Sequence, residues 1–78
     1  MKTYKYIHFV VIQEKGKTSV WSCRNNSTRY ELGLVQWYGP WRQYCYFSSN
    51  PAVYSDGCLA DIRDFISSVN ITHREGKA

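Results

Sequence analysis

The sequence has few of the residues from which reactive centres are built. Its 78 residues include two histidines and three cysteines. Cysteine catalysis requires a thiolate beside a base, usually a histidine, and a zinc site requires about four ligands at paired spacings. His8 lies in the predicted first strand and His73 in the polar C-terminal segment, and neither forms a paired motif with a cysteine. A small thiol enzyme remains the third class of function, and we expect no catalysis, no cofactor and no metal.

We expect no secretory leader, and the sequence has no run of apolar residues long enough to cross a bilayer. The stretch from Ile7 to Ile12 contains His8 and is too short for either purpose. An odd set of cysteines (Cys23, Cys45 and Cys58) cannot form closed disulfide pairs. We therefore expect reduced thiols, no membrane association and a cytoplasmic location.

Aromatic residues are abundant and the excess of positive charge is mild. Aromatic residues make up 17% of the chain and the formal net charge is +4. A chain of this length forms one domain and buries only about 60% of its unfolded surface. We predict a single domain over residues 1–70 and a flexible polar tail over residues 71–78. The charge suits either phosphates or an acidic partner and does not discriminate between them.

A hairpin centred on Gly39-Pro40 organises the chain. Two runs rich in aromatic and branched residues, within 32–47, flank this dipeptide. Gly permits the positive φ that a type II′ turn needs, and Pro fixes the next φ. A loop of two residues, or of four, places Leu34 opposite Cys45 and Val35 opposite Tyr44.

The remaining pattern predicts an α+β fold with a four-stranded antiparallel meander sheet and one C-terminal helix packed on one face. Strands are predicted over 3–13 and 18–24, before the two strands of the hairpin. Helical spacing begins at Cys58, with Ser55 or Asp56 as the cap and Asn70 as the stop. One hairpin face is predicted to pack under the helix, with contacts between two groups of residues: Leu34, Cys45 and Phe47 against Leu59, Ile62 and Ile66.

The other face of the hairpin is the predicted binding site. It carries Trp37, Arg42, Tyr44 and Tyr46, and Trp41 stands at the turn, where it folds back or projects as an anchor. Such a surface suits a protein interface, in which Trp, Tyr and Arg dominate the binding energy, or a nucleic acid, whose bases stack on aromatic rings. The same residues can also be ordinary cross-strand pairs that stabilise the hairpin.

Two further partners stay open at this stage. The apolar first strand allows a homodimer to cover the same surface. The loops around Lys15, Arg24 and Arg29 are the fallback binding site, although a solvated surface explains their charges equally well.

The segment 32–47 and the helix pattern Cys58-Leu59-x-Asp61-Ile62 resemble a group of small uncharacterised phage and prophage proteins. In that group a Trp-Arg-x-Tyr hairpin precedes a Cys-Leu-x-Asp-Ile helix. The likeness covers roughly the C-terminal half, with Ser48 where the group has Pro and with a first strand that is peculiar to this chain. The resemblance implies a phage or prophage setting in a bacterial cytoplasm and no mechanism. Because small phage proteins of this kind often bind a host factor, we expect a non-enzymatic accessory or anti-defence module that binds a host protein. A nucleic-acid-binding domain is the alternative.

Overall fold

The computed structural model describes residues 3–49 and 52–76. It consists of strands β1 (Ile7–Lys15), β2 (Thr18–Asn25), β3 (Glu31–Tyr38) and β4 (Gln43–Ser48), followed by helix α1 (Asp56–Arg74). The four strands form one antiparallel sheet in the order β1-β2-β3-β4. The predicted α+β meander with a C-terminal helix is therefore confirmed. No helix in the described part of the chain is long and apolar enough to span a bilayer.

The first strand lies further along the chain than the sequence predicts. It begins at Ile7 instead of Thr3 and continues to Lys15. Gly16 follows in the turn to β2, with a φ of 64°. The pairing with β2 shifts register between Val11 and Gln13, which places a bulge at Ile12. Bulges bend a strand and increase its twist.

The hairpin has the predicted faces but a register displaced by two residues. Leu34 pairs with Phe47, and Val35 pairs with Tyr46, instead of Cys45 and Tyr44. A 3-10 turn at Gly39–Trp41 is followed by Arg42, which takes the left-handed conformation with a φ of 54°. The Arg42 N–H donates to the Tyr38 and Gly39 carbonyls. The positive φ expected of Gly39 is therefore found at Arg42, because the loop closes as a helical turn.

Helix α1 begins as predicted and ends later. The Ser55 side chain accepts a hydrogen bond from the Cys58 N–H at 3.1 Å, which confirms the N-cap. The predicted stop at Asn70 is wrong, since the helix continues to Arg74 and Gly76 follows with a φ of 74°. The residues 71–74 of the predicted tail are therefore helical, and residues 77 and 78 lie outside the described residues.

The helix packs on the opposite face of the sheet from the one predicted. Its buried Ile62 joins Ile7 and Cys23 in the core, whereas Leu59 is more than half exposed. Further apolar side chains surround this core from the sheet, from the helix and from the segments that precede β1 and α1: Tyr4, Phe9, Leu32, Tyr46, Tyr54, Cys58 and Ile66. The helix thus covers the face that carries Val35 and Tyr46, and the prediction that it covers Leu34, Cys45 and Phe47 is wrong.

Stacked aromatic rings explain why this face is the covered one. Phe65 of the helix stacks on Phe9 at 3.9 Å between ring centroids and meets Trp21 edge-on at 5.4 Å. Gly33 lies on the same face, and the space above it is filled by the ring of Tyr46. Aromatic side chains bury more area than aliphatic ones, so the helix gains more by packing here.

Candidate functional site on the open face of the sheet

Three of the five predicted binding residues lie beneath the helix. Tyr44 is 3% exposed, and its hydroxyl accepts a hydrogen bond from the Ser19 N–H at 3.2 Å. The Tyr46 hydroxyl pairs with that of Tyr54 at 2.8 Å. The Trp37 ring packs against His73 at 4.4 Å between centroids. The interpretation of Trp37, Tyr44 and Tyr46 as an uncovered face is therefore wrong, because the helix already occupies it.

Trp41 and Arg42 are the two predicted residues that remain exposed. Trp41 is 66% exposed, and its ring meets Tyr38 edge-on at 5.1 Å. It therefore both folds back against the sheet and presents most of its surface to solvent. Arg42 follows it in the loop and is exposed. Both residues are held by the 3-10 turn, which fixes the backbone that carries them.

Two aromatic residues outside the predicted binding site lie near Trp41, and one of them, Phe47, is a predicted core residue. We call the side of the sheet away from α1 the open face. It carries Tyr38 and Phe47, whose ring centroids are 6.0 Å apart. Phe47 is 38% exposed and pairs with Leu34. We call Tyr38, Trp41 and Phe47 the open-face cluster. The alternation of side chains along a strand would predict this cluster from the sequence, provided that the helix is assigned to the face that carries Val35 and Tyr46.

Charge concentrates near the same end of the sheet. The β1–β2 turn, the β3–β4 loop and the end of α1 lie together there, because the strands are antiparallel and Asn70 contacts Tyr44. This hairpin end carries four basic residues (Lys15, Lys17, Arg42 and Arg74) against Glu14 and Glu75. Elsewhere in the described residues the signs balance: Lys5, Arg24, Arg29 and Arg63 against Glu31, Asp56, Asp61 and Asp64. The net positive charge of the described chain therefore lies at the hairpin end.

The other basic residues singled out in the sequence are less available. The Arg24 Nε donates to the Ser22 hydroxyl at 3.0 Å, and that hydroxyl donates to Glu31 at 2.7 Å. Ser22 is fully buried, so this short network stabilises the end of β2 near Glu31. Arg29 takes a φ of 67° in the β2–β3 loop, at the opposite end of the sheet from Trp41.

The pKa values of Cys23, Cys45 and Tyr46 are raised above their ordinary values. Burial raises the pKa of the Cys23 thiol to about 11, and burial also raises the pKa of Cys45. Burial and a hydrogen bond to the Tyr54 hydroxyl raise the pKa of Tyr46 far above its ordinary value. An activated nucleophile has a lowered pKa, whereas these raised pKa values keep the groups protonated, as is usual for side chains that only pack. Within residues 3–49 and 52–76, no group of His, Cys, Asp and Glu could hold a metal ion.

The chain is similar to a phage protein. It is 29% identical over 70 residues to the uncharacterized 9.3 kDa protein of Acholeplasma phage L2. The match covers 88% of this chain and 90% of the relative, so it extends well beyond the C-terminal half. No protein-family model and no solved structure matches the chain significantly. The similarity agrees with the phage resemblance and carries no activity with it.

Proposed function

We propose that the protein is a non-enzymatic binding module that engages an acidic surface of a host protein through the open-face cluster and Arg42. The observation that carries the proposal is the exposed Trp41, which stands on Tyr38 beside Phe47 at the positively charged end of the sheet. In this view it is a phage or prophage accessory protein of the bacterial cytoplasm. Its action would be inhibition of a host factor, including a defence protein.

The composition of the open face favours a protein partner over a nucleic acid. Trp, Tyr and Arg are the residue types that contribute most to protein interfaces, and an adjoining apolar surface supplies their water-excluded surroundings. The strands of this face present Leu34, Tyr38, Cys45 and Phe47, and Arg24 is engaged with Ser22. A phosphate backbone instead calls for several basic side chains along a groove.

The test compares two double variants in capture from bacterial host lysate. Trp41→Ser with Arg42→Ser removes the proposed anchor, and Tyr30→Ser with Arg63→Ser removes an equally exposed aromatic residue and an arginine elsewhere. We expect the first variant to lose a host protein that the wild type and the control both retain after nuclease treatment. Direct binding of that purified protein, with a photo-crosslink from position 41, would then establish the contact.

Two outcomes contradict the proposal. One is capture of the same proteins by all three forms, with unchanged far-UV dichroism. The other is tight binding to a single-stranded DNA oligonucleotide that weakens steeply with salt and is lost in the first variant, which would establish the nucleic-acid alternative.

A further inference from the structure

The two edges of the sheet differ, and helix α1 covers the β4 edge at Tyr44. The Ser49 N–H donates to the Leu32 carbonyl, so the backbone groups of alternate β4 residues, including Tyr44, point away from β3. The Asn70 side-chain amide satisfies both groups of Tyr44. Its oxygen accepts from the Tyr44 N–H at 2.7 Å and its nitrogen donates to the Tyr44 carbonyl at 3.4 Å. Asn70 therefore acts as a one-residue substitute for a neighbouring strand.

The β1 edge has no such cover. The Asn26 N–H donates to the Tyr6 carbonyl at 2.8 Å, so the backbone groups of His8 and Val10 face β2. Those of Ile7, Phe9 and Val11 point outward by the same alternation. In the part of the chain that the structure describes, no loop or helix backbone hydrogen-bonds to them.

An apolar groove follows this open edge. Its volume is about 600 Å³, and Phe9 forms its floor with Phe65 of the helix stacked above. The groove is lined on the helix side by Tyr4, Val11 and Trp21, and on the other side of the strand by His8 and Val10. Val11 is 46% exposed there. An open strand edge between apolar walls is a template for a further β-strand.

The charges around β1 favour an antiparallel strand of the same sequence. No charged residue occurs from Tyr6 to Gln13, although edge strands are commonly protected by Lys or Pro. Lys5 precedes this stretch and Glu14 follows it. Two copies aligned antiparallel bring Lys5 of one towards Glu14 of the other, whereas a parallel alignment would place like charges together.

We infer that β1 pairs with β1 of a second copy of this chain, antiparallel about a two-fold axis beside Phe9. Ile7 then lies opposite Val11 of the second copy and Phe9 opposite its counterpart, so every outward group of these three residues finds a partner. The product is a continuous eight-stranded sheet. Both helices lie on one side, with the two open-face clusters at the far ends of the other side. The inference is independent of the proposed function, since the two surfaces share no residue.

The test is the oligomeric state and the hydrogen-exchange pattern of the full chain. We expect the wild type to be a dimer by sedimentation, and Val11→Lys to be a monomer at the same concentration. Leu59→Lys, a matched control on the exposed part of the helix, should remain a dimer. Val11→Pro removes an outward N–H without adding charge and without costing a bond to β2, and should also be a monomer.

Amide exchange supplies a residue-level readout that does not depend on a variant folding. In the dimer the amides of Ile7, Phe9 and Val11 should be as protected as those of His8 and Val10. A wild-type monomer at the concentration of an NMR sample would overturn the inference, as would rapid exchange at Ile7, Phe9 and Val11. A dimer that survives in folded Val11→Lys and Val11→Pro would overturn it too.

Discussion

Gly33 is the glycine, among those described, at which an added side chain would meet the closest contacts. A Cβ atom placed there would lie 2.6 Å from the Phe47 carbonyl oxygen and 2.6 Å from two atoms of the Tyr46 phenol. The carbonyl belongs to the paired strand and the phenol is held by Tyr54, so neither neighbour can move freely. Glycine at this position therefore lets the Tyr46 ring lie flat on the sheet beneath the helix.

We predict that Gly33→Ala lowers the free energy of unfolding by about 1–3 kcal/mol, the usual cost of overpacking a fitted core. Urea titration with far-UV dichroism measures it. Gly57→Ala is the matched control, because the nearest atom to its Cβ is the Ser55 hydroxyl oxygen at 3.9 Å and alanine suits a helix better. Equal stability of the wild type and Gly33→Ala would contradict the close contact.

One polar side chain of helix α1, that of Asn70, forms hydrogen bonds with the backbone of the sheet. The sequence predicts Asn70 as the residue at which the helix stops. In the structure Asn70 is buried within the helix and bonds to both backbone groups of Tyr44. Burying a polar group costs free energy unless it is hydrogen-bonded. The contact therefore satisfies the amide of Asn70 and both backbone groups of Tyr44 at once. This contact fixes the helix over β4 and covers that edge of the sheet at Tyr44.

We predict that Asn70→Ala destabilises the protein by about 1–3 kcal/mol, because it leaves the Tyr44 N–H and carbonyl without their partner. Hydrogen exchange at the Tyr44 amide should accelerate more than exchange elsewhere in β4. Ser67→Ala, at an exposed position of the same helix, should change neither quantity appreciably. Unchanged protection of Tyr44 in Asn70→Ala would disprove the proposed role of the amide.

The molecule as a whole holds several protons more tightly when it is folded. Burial, together with a hydrogen bond to Asp64, raises the pKa of Tyr4 to about 12, and burial raises that of Cys23 to about 11. The pKa of Tyr46 shifts in the same direction. The unfolded chain loses these protons at lower pH than the folded chain does. The stability that depends on them is therefore fully present below about pH 9 and is lost as the pH rises through 11 to 12.

We predict that the free energy of unfolding decreases steadily from pH 9 towards pH 12 at constant ionic strength. Tyr4→Phe should reduce this alkaline slope, because it removes one of the groups, whereas Tyr30→Phe at a 75% exposed position should leave the slope unchanged. Denaturant titrations at successive pH values provide the measurement. A slope that is identical in the wild type and Tyr4→Phe would show that Tyr4 does not contribute to the alkaline loss.

The sequence by itself determined the elements and their order. Alternation around Gly39-Pro40 predicts the hairpin and its two faces, helical spacing from Cys58 predicts α1, and Ser55 predicts its cap. These are local properties, because strand and helix periods are set by backbone geometry over a few residues. The same local signal places Trp41 at the turn, but it predicts Arg42 in a strand, whereas the structure has Arg42 in the loop after a 3-10 turn.

Only the tertiary structure decided which face the helix covers, and with it which residues are free to bind. Both faces of the hairpin are apolar, so composition did not distinguish Leu34 and Phe47 from Val35 and Tyr46. The choice depended on contacts between residues distant in sequence: the stack of Phe9 on Phe65, the space above Gly33, and the bond from Tyr44 to Asn70. Such contacts exist only after the chain is folded, because the pattern of either segment alone does not specify the other.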